Sequence, residues 1–355
     1  MRPVSQGFAL AELLVATAVL AVFAMGMAML ARLAADSARV QPETTDADQR
    51  LRAGLEMLRS RLGAAGLGSA VGAGAGPLNR RVPVVFPHRR TPGSSDPELG
   101  AFEDRFTVLS VPYEGTLVAV SEAMGSTAST IRVTGGAGCP TSAPACRFSR
   151  GMRAVVFDTS GAHDLFLLAG VDADTLQPSA PLSRVYTPAL GAAVVPVEVR
   201  SVYFDVGLAQ LRTVGGSGVS APALDHVVGL RVRYLGDARP PPAPRPPLGL
   251  EGCLFDQEGA TRLPELPPTW GTLVELTPAM LGDGPVCGSA PHRFDADIFR
   301  IRALRVTLRV AAPSPSLRGS DPLLFRRPGS AANTATVPDR EATIDVAPAN
   351  LRDGG

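Results

Sequence analysis

From Phe8 to Leu30 the chain reads FALAELLVATAVLAVFAMGMAML, an apolar run interrupted by Glu12 and Thr17. About 20 apolar residues carry a helix across a bilayer, so the segment is expected to be a membrane-spanning or targeting helix. Past Arg32 the pattern turns amphipathic. From Asp36 to Leu62 the chain is polar, with Leu51, Leu55, Leu58 and Leu62 at i, i+4, i+7 and i+11, one stripe of a helix. Such a stripe is expected to lie on a sheet. Joined, the two patterns predict a helix from Phe8 to Leu62, about 80 Å long at 1.5 Å per residue. Pro42, which lacks a backbone N–H, is its expected kink. Two helices separated at Pro42 are the alternative.

After Leu62 the run GAAGLGSAVGAGAGP follows a helix rather than a strand and lacks the GxGxxG spacing, so residues 63–100 are read as a Gly/Pro-rich linker, not a phosphate cradle. Residues 101–355 then change to short β-rich runs bounded by turn residues: Phe106–Val111, Leu117–Ser121, Thr130–Thr134, Ala154–Phe157, Asp164–Leu168, Val194–Val206, His226–Leu235 and Ile298–Val310. In the last of these, Leu304, Val306, Leu308 and Val310 alternate with Arg305, Thr307 and Arg309, as in a half-buried strand. An insertion over about residues 237–295 opens with RPPPAPRPPLG, Arg239–Gly249. Such a run favours a stiff polyproline II spacer, read as a rigid surface loop in preference to a peptide ligand. The predicted fold class is α+β, a long N-terminal helix packed on a mainly antiparallel, β-rich head.

Composition narrows the function more than it names it. The 355 residues include 37 Gly and 33 Pro, no Lys, 5% aromatics and a formal charge of +1. A basic field and a stacking platform are both lacking, which sets nucleic acid aside as a partner. The four histidines, His88, His163, His226 and His292, form no HExxH pair, and neither a GxSxG elbow nor a P-loop occurs. Each histidine is read as a surface or core residue, and no catalytic residue, enzyme activity or cofactor is expected. The pairs Asp46/Asp48, Asp172/Asp174 and Asp295/Asp297 offer oxygen ligands, but none continues into a calcium loop, so they are read as turn and cap carboxylates. The cysteines Cys139, Cys146, Cys253 and Cys287 form an even set without CxxC spacing.

A carboxylate at mid-bilayer costs roughly 2.5–3.5 kcal/mol, so Glu12 needs a reason. A secretory signal peptide has a shorter apolar region of about 7–15 residues and a small-residue cleavage site. The frame Gly7-Phe8-x-x-x-Glu12 ahead of an unbroken apolar helix, behind the short leader Met1 to Gly7 with Arg2 as its charge, resembles the class III signal of type IV pilins and pseudopilins. Ala9 and Ala11 depart from the polar and branched residues usual in that pattern. Leu224–Asp237, Ala342–Arg352 and Asp46–Gly68 are loosely similar to PilW-type minor pilins, the last also to J-type pseudopilins of type II secretion.

The resemblance implies cleavage after Gly7 by prepilin peptidase, N-methylation of Phe8, and a membrane span over residues 8–31 that includes Leu13, Leu14, Val15, Leu20, Phe23 and Leu30. In a filament core the Glu12 carboxylate would pair with the Phe8 ammonium of a neighbouring subunit. It further implies an inner-membrane protein with a cytoplasmic N-terminus and a periplasmic head, later in a pilus or pseudopilus at the cell surface. Its partners would be major and minor pilins or pseudopilins and the assembly platform. Some secretion pseudopilins carry calcium, which keeps that ion open for this chain. Export would place the thiols in an oxidising space, with Cys253–Cys287 and Cys139–Cys146 the expected bridges, one of three connectivities. The alternative from a different class is a membrane-anchored β-rich binding module or enzyme.

Overall fold

The computed structural model describes residues 10–66, 78, 80–267, 273–331 and 335–351. Gly7 and Phe8 lie outside the described residues, as does most of the Gly/Ala run after Leu62. One unbroken helix, α1 (Leu10–Gly63, 54 residues), opens the fold and carries Pro42 in its interior. Pro42 leaves one carbonyl of the preceding turn without its usual donor. The helical path nevertheless continues past it, and the hydroxyls of Thr44 and Thr45 donate to the carbonyls of Val40 and Gln41 at 2.9 and 3.0 Å. The two-helix alternative is not what forms.

Two compact units divide the chain, Met1–Arg50 with Ala311–Arg340, and Leu51–Val310 with Glu341–Gly355. In the first, Ala312, Leu317 and Val337 pack with Val40 of α1. Ser314 Oγ donates to Glu43 at 2.7 Å, and Arg340 meets Asp48 at 3.2 Å. Residues 311–340 therefore group with the helix, although the sequence placed them in the head.

The second unit is built of strands. In chain order they are β1 (Val85–Phe86), β2 (Arg105–Ser110), β3 (Val118–Val120), β4 (Ile131–Thr134), β5 (Arg153–Phe157), β6 (His163–Val171), β7 (Thr175–Pro178), β8 (Ala193–Pro196) and β9 (Glu198–Asp205). There follow β10 (Gln210–Val214), β11 (Ser220–Asp225), β12 (Val227–Asp237), β13 (Leu273–Leu276), β14 (Val286–Cys287), β15 (Phe294–Asp295), β16 (Ile301–Val310) and β17 (Arg340–Val346). They form a five-stranded sheet β1-β2-β9-β10-β11, a four-stranded sheet β13-β12-β16-β17, the pair β14-β15, and a closed barrel β3-β4-β7-β6-β5-β8. The fold is thus one long apolar N-terminal helix with a mostly antiparallel β-rich domain, an α+β architecture.

Alternation explains β16. Leu304, Val306, Leu308 and Val310 are fully buried, while Arg305 and Thr307 on the other face meet Asp345 and Thr343 of β17 at 2.7 and 2.8 Å. The leucine stripe of α1 is buried at Leu51, Leu58 and Leu62; Leu55 stands at its edge, and Gly54 takes the central place. A Cβ on Gly54 would come within 2.6 Å of Leu308 and 2.7 Å of Leu224. The missing side chain lets helix and sheet approach closely. Gly54→Leu is expected to destabilise this unit by about 1–3 kcal/mol through overpacking, despite a better helix propensity, as read by denaturant unfolding.

Three segments differ from the sequence reading. Val82, Val84, Val85 and Phe86, within the expected linker 63–100, are buried, and β1 pairs with β2 through Val85↔Val108 and Phe86↔Thr107. An apolar VPVVF run gains more by joining a sheet than by staying in solvent. The expected strand Val194–Val206 is two strands, β8 in the barrel and β9 in the five-stranded sheet, with Pro196, which has no ladder N–H to give, at the junction. Residues 298–300 belong to a 3-10 turn, Ala296–Arg300, capped by the Asp295 side chain accepting from the Asp297 N–H. The Pro-rich run is irregular, with Pro241, Pro244 and Pro246 buried. Disulfides join Cys139 to Cys146 and Cys253 to Cys287.

Candidate functional site

Two features of the chain are candidates, and the first is the beginning of α1. An 18-residue window there has a mean hydropathy of 2.5 and none of it is buried. Leu13, Leu14, Val15, Leu20, Phe23 and Leu30 are each 61–72% exposed. Exposed apolar area costs about 25 cal/mol per Å², so this surface demands lipid or other helices around it. The helix is long and apolar enough to cross a membrane, and can serve as an anchor or a signal sequence. Its polar interruptions are managed locally. Thr17 donates to the Leu14 carbonyl at 2.9 Å, and Glu12 lies in the first turn, where the helix dipole favours a negative charge.

The second feature was not legible beforehand. A cavity of about 410 Å³ opens in the β-rich unit, walled by His88, Arg90, Thr91 and Ser94 of the loop after β1, Arg153 of β5, and His292. His88 Nδ1 lies 2.9 Å from the Gly100 carbonyl. A carbonyl only accepts, so Nδ1 carries the proton and Nε2 presents a lone pair. Arg90 Nη1 lies 3.3 Å from His163 Nε2, which by the same logic accepts. The Arg90 guanidinium also stacks over the Phe86 ring at 4.3 Å, a cation–π contact. His292 Nε2 stands 4.0 Å from Asp164, whose carboxylate already accepts from Ser183 N and Oγ at 2.7 and 2.6 Å.

Burial sets the charge of this cluster. Desolvation, aided by the neighbouring Arg90 cation, pushes His88 down to about 4 and His163 well below the usual imidazole range; it also lowers His292. All three are therefore neutral at about pH 7, the form that burial favours. Burial likewise lowers Arg90 to about 10 and shifts Arg153 down, yet both remain cations there. The positive charge of the cavity thus resides on guanidinium groups.

The structure brings together three histidines that the sequence reading treated separately, and leaves His226 apart at the β11–β12 corner with φ 57°. No spacing announces the cluster, because its members come from segments joined only by the tertiary fold. The acidic pairs are committed elsewhere: Asp46 to Arg50 at 2.6 Å, Asp174 to Arg132 at 3.4 Å, Asp295 to the Gly284 and Asp297 N–H groups, and Asp297 to Arg300. Among the described residues no three His, Cys, Asp or Glu side chains converge as a metal site requires. Compared with known protein families, curated proteins and solved structures, the chain finds no match.

Proposed function

We propose that the protein is a minor pilin or pseudopilin, processed by prepilin peptidase and taking part in the assembly or tip complex of a type IV pilus. The observation that carries the reading is α1 itself: one unbroken 54-residue helix with an exposed apolar first part and Leu58 and Leu62 buried at its other end. A secretory signal needs no such continuation. A subunit that hangs a head on a membrane-embedded, helix-packing stalk does. The sequence Gly7-Phe8-x-x-x-Glu12 supplies a processing site and a carboxylate placed to meet a neighbour's new N-terminus. In this reading Leu13 to Leu30 supply helix–helix contacts within the filament, and the chain performs no catalysis. Its partners are other pilins and the inner-membrane assembly platform. A J-type pseudopilin of a type II secretion system is the alternative within the same class.

Intact-mass and N-terminal peptide analysis of the protein from its own membranes tests this. A chain starting at Phe8 with one added methyl is the expected result. A retained Met1, or a start near Ala35, would discard the reading in favour of a plain anchor or a long signal peptide. A second expectation concerns Glu12. In Glu12→Ala, membrane insertion should be unchanged, while incorporation into sheared filaments should fall tenfold or more, because removing one partner of a buried ion pair costs roughly 3–5 kcal/mol. Normal incorporation of this variant would remove Glu12 from assembly.

A further inference from the structure

Among the described residues Arg90, beside the cavity, has no carboxylate within ion-pair distance, Glu98 and Asp164 acting on it from farther off. Arg90 and Arg153 both line the cavity, and neither forms an ion pair among the described residues. Arg153 Nε and Nη2 reach only the Gly216 carbonyl, at 3.2 and 2.8 Å. The acids on the same wall are spent: Asp96 holds Arg89 and Arg105 at 2.7 and 3.0 Å, and Glu98 holds Arg293 at 2.7 Å. Arg300, a fully buried guanidinium in the same unit, does meet a carboxylate, that of Asp297. Enclosing a guanidinium without an anion costs several kcal/mol, a cost that a bound anion offsets.

Two polar atoms beside the cavity are left unsatisfied: Arg90 Nη2, a charged donor, and His88 Nε2, an acceptor by the tautomer that the Gly100 carbonyl imposes, make no hydrogen bond and are closed off from its open space. Arg90 and Arg153 are the guanidiniums of the wall without an ion pair, and Glu98 and Asp164 act on Arg90 from beyond ion-pair distance, so a small carboxylate suits the cavity better than a more highly charged anion. A volume of about 410 Å³ lies within the range of small-ligand sites, and the Thr91 and Ser94 hydroxyls can bond further polar groups.

We propose that this cavity binds a small hydroxylated carboxylate, a hydroxy acid or an acidic sugar, with its carboxylate against the Arg90 and Arg153 side chains and its hydroxyls toward Thr91 and Ser94. The site would give the head a ligand of its own, whatever the processing of the N-terminus.

Calorimetric titration of the full chain in detergent with D-glucuronate and L-lactate tests it, with D-glucose and inorganic phosphate as controls. Saturable binding of at least one hydroxy acid is expected, with none of glucose and weaker binding of phosphate. Arg90→Met should weaken the binding about tenfold or more, the value of a charge-assisted hydrogen bond. Should that variant fail to fold, Arg153→Met carries the same expectation. The proposal is overturned if neither acid saturates, if glucose or phosphate binds as well as the acids, or if affinity is unchanged in whichever variant folds. Start-site analysis of the N-terminus is a separate measurement, so failure here and failure of the filament reading are distinguishable.

Discussion

Arg300→Met is expected to destabilise the β-rich unit by about 3–5 kcal/mol, the usual cost of breaking a buried ion pair from one side. The Arg300 side chain is completely buried. Its Nε meets Asp297, Nη1 donates to the carbonyls of Asp237 and Ala238 at 3.2 and 3.0 Å, and Nη2 donates to Pro264 at 2.5 Å. One planar fork thus ties the 3-10 turn before β16 to the end of β12 and to the insertion. Methionine fills much of the volume but takes the guanidinium donors from the Asp297 carboxylate and from the carbonyls of Asp237 and Pro264, while the Ala238 carbonyl keeps the Leu266 N–H. Lysine does not rescue this, since one ammonium cannot span a fork of that width. Removing both charges is milder: Arg300→Met with Asp297→Leu should recover part of the loss, and the double-mutant cycle gives the coupling directly. Denaturant unfolding of the three variants reads all of it. Arg300→Met within about 1 kcal/mol of the parent would show that neither the ion pair nor the carbonyl bonds hold the turn.

The elements that could be read from sequence are those whose periodicity the fold respects. The apolar run from Leu10, the leucines at 51, 58 and 62, and the alternation of β16 each follow the pattern of their element, and each takes its place in a helix or strand accordingly. Elements without a regular apolar repeat escaped. The hairpin of β10 and β11 hydrogen-bonds onto β9; β10 buries Leu211 and Val214, three positions apart, and β11 carries an exposed Pro222, so it shows no alternating apolar face to detect. The run Val82–Phe86 failed for the opposite reason. It is short and apolar, but lies beside a Gly-rich tract that outweighed it. The Arg90 cavity shows the deeper limit. His88, His163 and His292 were each weighed alone, and what makes them a cluster is the meeting of the β1–β2 loop, β6 and the turn before β15, which no local pattern encodes.

That same cluster should make the β-rich unit acid-labile below about pH 6.5. The sign follows from which state takes up protons. In the unfolded chain the histidines protonate near 6.5; in the folded unit His88 resists until about 4, and His163 is held well below 6.5. Their contribution is therefore fully present above 6.5 and is lost as pH falls toward the folded values. His88 is 2% exposed, and its displacement alone corresponds to a loss on the order of 3 kcal/mol by about pH 4. Asp295 works in the opposite direction. Burial raises it from 3.8 to about 6, so its contribution is greatest at low pH and is lost as pH rises to about 6. Asp158 and Asp297 are raised as well, while Asp96 and Asp345 are lowered, so one raised carboxyl in excess offsets about one of the three lowered histidines and the net stability is expected to fall on acidification. Unfolding of the detergent-solubilised chain by denaturant, at steps from about pH 7 to about pH 4.5, measures the slope. Of the groups facing the cluster, Arg90 opposes protonation, while Asp164 and Glu98 favour it for His292. His88→Asn and His163→Gln place amides where the imidazoles donate to Gly100 and accept from Arg90. Each should flatten the slope, because an amide does not titrate. An unchanged slope in both variants would move the acid sensitivity away from these histidines.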